Sequence, residues 1–434
     1  MRAKVKIASI VRWRFYFVLS VMIAFMLALV WYLATLQIVP NADRGYEFLQ
    51  RQGLDRTLRV EPIPALRGMI TDRHGKPLAV STPVTSLWAH PQQLIEAESQ
   101  WPPLLAALNI GRDELAQKLQ RFQQKEFMYL QRQMTPEAAE NILQWHIPGV
   151  YDQQEQKRFY PAGEITAHLL GFTNIDDRGQ EGIELAYDHW LKSEAGAKQV
   201  LKDRTGRVFK DVRQLSAAKP GNTLALSIDL RLQYLAYREL KEATLAHRAS
   251  SGSIVLLDAE TGEVLAMVNQ PSFNPNDRRE FKANALRNRA MTDQFEPGST
   301  MKPLTIMAAL ESGSITANTT IDTHPGYLKV GQKTLHDPVN YGTIDIKKII
   351  QKSSQVGLTK ISLALQGDAI RDLFFRVGLG RDTGTGFPGE SSGLLPHHAR
   401  WQPIVQANFS FGYGLSLTAV QLAQAYSVIA NNGI

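Results

Sequence analysis

From Phe15 to Leu36 the chain carries no charged side chain, and Leu, Val, Ala, Met and aromatic residues dominate. A helix rising ~1.5 Å per residue over this run reaches ~33 Å, enough for the hydrocarbon core of a bilayer. Trp13 on one side and Trp31 and Tyr32 on the other stand where interfacial aromatics belong. After a polar joint, Asn41–Gly45, the pattern breaks into short alternating runs and amphipathic stretches. Arg67–Ala79 reads as strand, turn at His74-Gly75, strand. Thr135-Pro136 is an N-cap with proline at the first helical position, opening a helix to about Trp145. Past a second joint, Lys219–Asn222, Asp229 caps a helix that carries Leu232, Leu235, Ala236, Leu240 and Ala243 on one side. Ser253–Asp258, the turn Ala259–Gly262 and Glu263–Val268 form a β-hairpin. Both of its faces are apolar, which predicts helices in front of it and behind. A last helix opens with the capping box Thr418-x-x-Gln421.

Length and charge refine this picture. At 434 residues the chain exceeds one ordinary core, so two or three domains are expected. The formal charge is +7, but Arg2, Lys4, Lys6, Arg12 and Arg14 supply most of it and no acid lies among them. The rest is nearly neutral, so the basic end is a topology signal and not a footprint for nucleic acid. With cations before the span and Asp43 and Glu47 after it, residues 1–14 are expected in the cytoplasm and the bulk outside. A cleaved signal peptide would have a shorter apolar region and a small-x-small site; Ala34-Thr35-Leu36-Gln37 is a poor match. The chain contains no cysteine, which excludes thiol nucleophiles, disulfides and cysteine-bound metals within it.

The chemistry centres on Phe295-Glu-Pro-Gly-Ser299-Thr-Met-Lys302-Pro. Ser and Lys three apart share one helix face. A serine hydroxyl is a weak nucleophile until a base takes its proton, and a lysine amine does so once burial lowers its pKa from ~10.4. Alone, Ser-x-x-Lys is weak, since a chain of this length holds on the order of one chance match. The flanking Gly298, the apolar helix through Leu304, Ile306, Met307 and Leu310, and the hairpin upstream give it weight. A second element, Lys352-Ser353-Ser354-Gln355-Val356-Gly357, stands where penicillin-recognising serine enzymes carry Ser-x-Asn, with Gln355 in place of the Asn.

These motifs, with Arg158–Gly163, Gly179–Glu184, Lys202–Arg207, Arg287–Asp293 and Phe411–Thr418, resemble those of the class B penicillin-binding proteins in the same order, nearest to the division-specific, septal branch. The resemblance runs from the apolar segment to the last residue. It implies a transmembrane anchor over 15–36, an α+β pedestal over 44–220 and an α/β, serine β-lactamase-like transpeptidase domain over 221–434. It implies that Ser299 is the acyl-enzyme nucleophile, Lys302 the base, Ser353 a proton relay and Gln355 a substrate-binding amide. The substrate is then the D-Ala-D-Ala end of a peptidoglycan stem peptide, or a β-lactam that mimics it, with no cofactor or metal. The expected partners are a membrane glycosyltransferase and other division proteins at the inner membrane.

The family's third motif, Lys-Thr/Ser-Gly, does not occur; Lys333-Thr334-Leu335 lacks the Gly and precedes Ser353. The expectation is therefore a chain incomplete at its C-terminal end, either part of a longer protein or a truncated product that does not bind penicillin stably. Two other functions compete: a serine β-lactamase, which needs neither anchor nor pedestal, and a catalytically dead, membrane-tethered division scaffold or β-lactam sensor.

Overall fold

The structure, a computed structural model, describes residues 12–37, 47, 48, 53, 58–202 and 208–433. Residues 1–11, the joint 41–45 and the motif residues 203–207 lie outside the described residues. The described chain forms two compact units: Met1–Ala65 with Ala195–Lys219, and Leu66–Glu194 with Pro220–Ile434.

In the first unit, the helix Arg12–Gln37 is exposed along its apolar side chains. The stretch Arg12–Thr35 is long and apolar enough to cross a membrane once. The same unit holds a three-stranded antiparallel sheet in which Gly196–Lys202 lies between Leu58–Ile63 and Val208–Ser216.

In the second unit, strand Pro77–Ala89 is the hub of a five-stranded sheet. It pairs along its length with Val150–Phe159, and also with Met128–Met134 and Ile70–Thr71, which runs parallel to Leu224–Ala225. The turn at His74-Gly75 is as expected, with Gly75 at φ 78°. The helix Pro136–Leu143 starts on Thr135, whose hydroxyl accepts from the Ala138 N–H, and its Ala139 and Ile142 enter a core with Leu87, Leu94, Trp101 and Leu115.

A buried ion cluster ties this region together. Glu184, fully buried, accepts from Arg67 at 2.8 Å and from Arg158 at 2.6 Å, and Arg67 also reaches Asp188 at 2.7 Å. The strand Val150–Phe159 is joined to the segment after the hairpin by Asn276. Its side-chain carbonyl accepts from the Tyr160 N–H, and its amide donates to the Tyr160 carbonyl, both at 3.0 Å.

The hairpin Gly252–Leu257 and Val264–Gln270 is covered on both faces, as its composition demands. Ile254 and Val268 pack on Tyr237 and Leu240 of the helix Leu230–Ala246. Val255 and Met267 pack on Met291 and on Val420 of the helix Ala419–Ala430. Asp229 does cap the helix Leu230–Ala246, but that helix is rotated from the face the apolar spacing suggests. Gln233, Tyr237 and Leu240 point inward, while Leu235 and Ala243 are exposed. Gln233 sets the rotation: its amide donates to the Ile165 and Met267 carbonyls and accepts from the Met267 N–H, each at 2.8 Å. A polar side chain whose amide bonds are met is as good a core residue as a leucine.

The largest core lies beyond, where Leu304, Ile306, Leu358, Ile361, Leu373, Phe374 and Phe409 interlock. It holds the helices Lys302–Glu311, Gln355–Leu363, Gly367–Arg376 and Pro403–Ser410, and so fixes the elements that carry the candidate chemistry.

Candidate active site

Ser299 belongs to a 3₁₀ turn, Gly298–Met301, and the α-helix proper begins at Lys302. Pro303 accounts for the break: it has no N–H to donate, and its fixed φ suits the first turn of an α-helix. In a 3₁₀ turn residues i and i+3 eclipse, which stacks Ser299 over Lys302 more directly than α geometry would. Gly298 enters the turn at φ 62°, left-handed backbone that glycine adopts freely. Ser299 is exposed, and Lys302 is buried to 3 % exposure.

The lysine is the electrostatic centre. Its Nζ donates to the Ser353 carbonyl at 2.6 Å and contacts the Ser353 hydroxyl at 2.9 Å. The Phe411 ring lies 5.4 Å away. Burial pushes the Lys302 pKa down to about 8, with the charge of Asp337 working in the opposite direction. An amine with that pKa is partly neutral near physiological pH, which is the form able to accept a proton.

Ser353 ends the helix Ile346–Lys352 in left-handed conformation, φ 53°. That geometry turns both its carbonyl and its hydroxyl towards Lys302. Gln355 opens the next helix and is half-buried; its side-chain amide makes no hydrogen bond among the described residues. The geometry thus brings Lys302 and Ser353 into contact, sets Ser299 one 3₁₀ turn before the lysine, and puts Gln355 two residues past Ser353. Loop Phe411–Gly414 forms a further wall: the Gly298 N–H donates to the Gly412 carbonyl at 3.1 Å, and the Gly414 N–H to Glu296 at 2.9 Å. Among the described residues no three His, Asp or Glu side chains gather as a metal site would need.

Sequence reasoning passed over Asp337 and Ser354, which hold the 353–356 turn. Nothing local marks Asp337; it lies seventeen residues before Ser354 and meets it only through the fold.

An exposed serine one turn before a buried lysine that contacts a second serine is the arrangement a serine acyltransferase needs. Residues 252–434 match the family model of the penicillin-binding protein transpeptidase domain, and residues 62–226 that of the penicillin-binding protein dimerisation domain. The chain is 42% identical over 432 residues to the peptidoglycan D,D-transpeptidase FtsI of Escherichia coli K12, covering 98% of this chain and 72% of that one. With FtsI of Buchnera aphidicola subsp. Schizaphis graminum the identity is 37% over 436 residues, covering 99% and 75%. Among solved structures, penicillin-binding protein 3 of Mycobacterium tuberculosis with aztreonam aligns at TM-score 0.63 and 26% identity, over 86% of this chain and 66% of that one. The penicillin-binding protein of the Helicobacter pylori PBP2–MreC complex shares the fold at TM-score 0.72 and 23% identity, over 86% and 77%. The chain belongs to the class B penicillin-binding proteins, together with the FtsI transpeptidases.

Proposed function

We propose that the protein is a peptidoglycan D,D-transpeptidase of cell division, held in the inner membrane by residues 15–36, with a pedestal over 44–220 and a transpeptidase domain over 221–434. The observation that carries this reading is the buried Lys302 amine, lowered to about 8 and in contact with Ser353 beside the nucleophile turn. Neutral Lys302 takes the Ser299 proton as Oγ attacks the carbonyl carbon between the two D-alanines of a stem peptide. The helix start and the Ser299 N–H face the negative charge that develops on the carbonyl oxygen. As the C–N bond breaks, the proton passes from Lys302 through the Ser353 hydroxyl to the leaving D-alanine amine, and the acyl group stays on Ser299. An amine from a neighbouring stem peptide then attacks the ester, forms the cross-link and restores the serine. A β-lactam enters the same first step and remains as the acyl-enzyme.

Residues 1–14 face the cytoplasm in this reading, and the partners are a membrane glycosyltransferase and other division proteins. The dead-scaffold alternative is not favoured, since relatives at 42% and 37% identity are named peptidoglycan D,D-transpeptidases. Labelling with a fluorescent penicillin, in the protein completed with the family's C-terminal part, tests the proposal: Ser299→Ala is expected to abolish covalent label, and label that survives it assigns the chemistry to another residue.

A further inference from the structure

The 353–356 turn has an anchor that the reaction as described does not use. Asp337 follows the strand Lys333–His336; it is buried, and its own N–H donates to the Gly326 carbonyl at 2.9 Å. One carboxylate oxygen accepts the Ser354 hydroxyl at 2.6 Å. The other accepts the N–H of Gln355 at 2.6 Å and of Val356 at 3.2 Å. Ser354 in turn accepts from the Gly357 N–H at 2.9 Å. The acid and the hydroxyl between them satisfy the first three N–H groups of the helix Gln355–Leu363, which would otherwise lack partners. On the other side of the turn, the Ser353 and Ser354 N–H groups are taken by Ile350 and Ile349.

A helix start needs less than this. Ser354 alone is a sufficient N-cap, and burying a carboxylate costs free energy that a cap does not require. What the acid adds is immobility on the side of Ser353 that leads into the helix Gln355–Leu363, next to the residue that touches Lys302. We infer that Asp337 is a positioning residue for acylation, holding the Ser353 hydroxyl and the Gln355 amide in register with Lys302. The inference rests on the reading of Ser299, Lys302 and Ser353 given above.

The same carboxylate acts on the base through its charge. Lys302 is surrounded by Ser353 and the Phe411 ring, and the charge that acts on it is that of Asp337, which favours the protonated amine. Removing that charge lowers the lysine further, so a variant without it should be half-active at a lower pH than the parent. A cap whose charge does not reach Lys302 would change the rate and leave the midpoint where it was.

The test is the second-order acylation rate by a fluorescent penicillin of the protein completed with the family's C-terminal part, measured from about pH 6 to about pH 10, with thermal unfolding alongside. Asp337→Asn is expected to slow acylation about 100-fold, because a shift of ~1 Å in a positioning group costs that much, and to move the midpoint to lower pH. Asp337→Glu keeps the charge but displaces the oxygens, so it should keep the parent midpoint and lose rate. Ser354→Ala should lose rate without moving the midpoint, and it carries the test with Asp337→Glu should Asp337→Asn not fold. Parent-like rates in Asp337→Asn or Ser354→Ala, a lost rate with an unmoved midpoint in Asp337→Asn, or a moved midpoint in Asp337→Glu overturns the inference. Label that persists in Ser299→Ala sinks the reading beneath it instead.

Discussion

A β-carbon added at Gly412 would stand 2.3 Å from the Gly298 carbonyl oxygen, far inside contact distance. Gly412 is also at φ 83°, where side chains are strained. The loop after the helix Pro403–Ser410 therefore rests directly on the turn that presents Ser299. Gly412→Ala should push the two apart, and a displacement of ~1 Å is expected to cost about 100-fold in acylation. Penicillin labelling kinetics measure this, and a rate equal to the parent would mean that the loop yields without moving Ser299.

The proposed base, Lys302, predicts a pH dependence for acylation. The base works only when neutral, and its pKa lies at about 8 in the fold, so acylation should climb with pH and level off above that value. Lys302→Ala should remove the climb and slow acylation by roughly 100- to 10,000-fold, the usual worth of general-base help. A flat pH profile in the parent would exclude Lys302 as the base.

Glu184 bridges two buried guanidinium groups. Glu184→Ala leaves Arg67 and Arg158 charged and short of a partner, at an expected cost of about 3–5 kcal/mol. Chemical denaturation should register the loss as an earlier unfolding midpoint, whereas an unshifted midpoint would show that water replaces the carboxylate.

Gln355 carries its amide one bond, ~1.5 Å, further from the backbone than an asparagine would. Its backbone has no slack, because its N–H is held by Asp337 at 2.6 Å and its carbonyl by Thr359 at 2.7 Å. Gln355→Asn is expected to raise penicillin acylation by about tenfold or more, as the amide returns to the reach of the family motif. Stability should be unchanged, since the side-chain amide has no protein partner to lose. An unaltered rate would make the amide irrelevant to this ligand.

The topology is open to a direct experiment. A reporter that is active only outside the cytoplasm, fused after Asp43, should be active, given the cations before the apolar run and the acids after it. Activity restricted to the cytoplasmic side would reverse the orientation.

Elements whose ends carry their own signals were legible in the sequence. Thr135, Asp229 and Thr418 each cap the helix expected of them, and the hairpin is built from the strands its apolar runs marked. Ser299 and Lys302 could be singled out as candidates because Ser-x-x-Lys is written within four consecutive positions. What escaped were the groups whose role is set by distant neighbours. Gln233 looks like a surface residue until Met267 and Ile165 are placed beside it, and Asp337 looks like a strand-end acid until the 353–356 turn closes on it. Hydrophobic spacing cannot report a polar side chain that is buried because it is satisfied.

Asn276 clasps the peptide groups on both sides of the Tyr160 α-carbon, and this makes a rigid coupling of two parts of the second unit. A side chain bonded at two points resists rotation as well as separation. The end of the strand Val150–Phe159 and the segment following Gln270 are thereby held against both separation and swivelling at Tyr160.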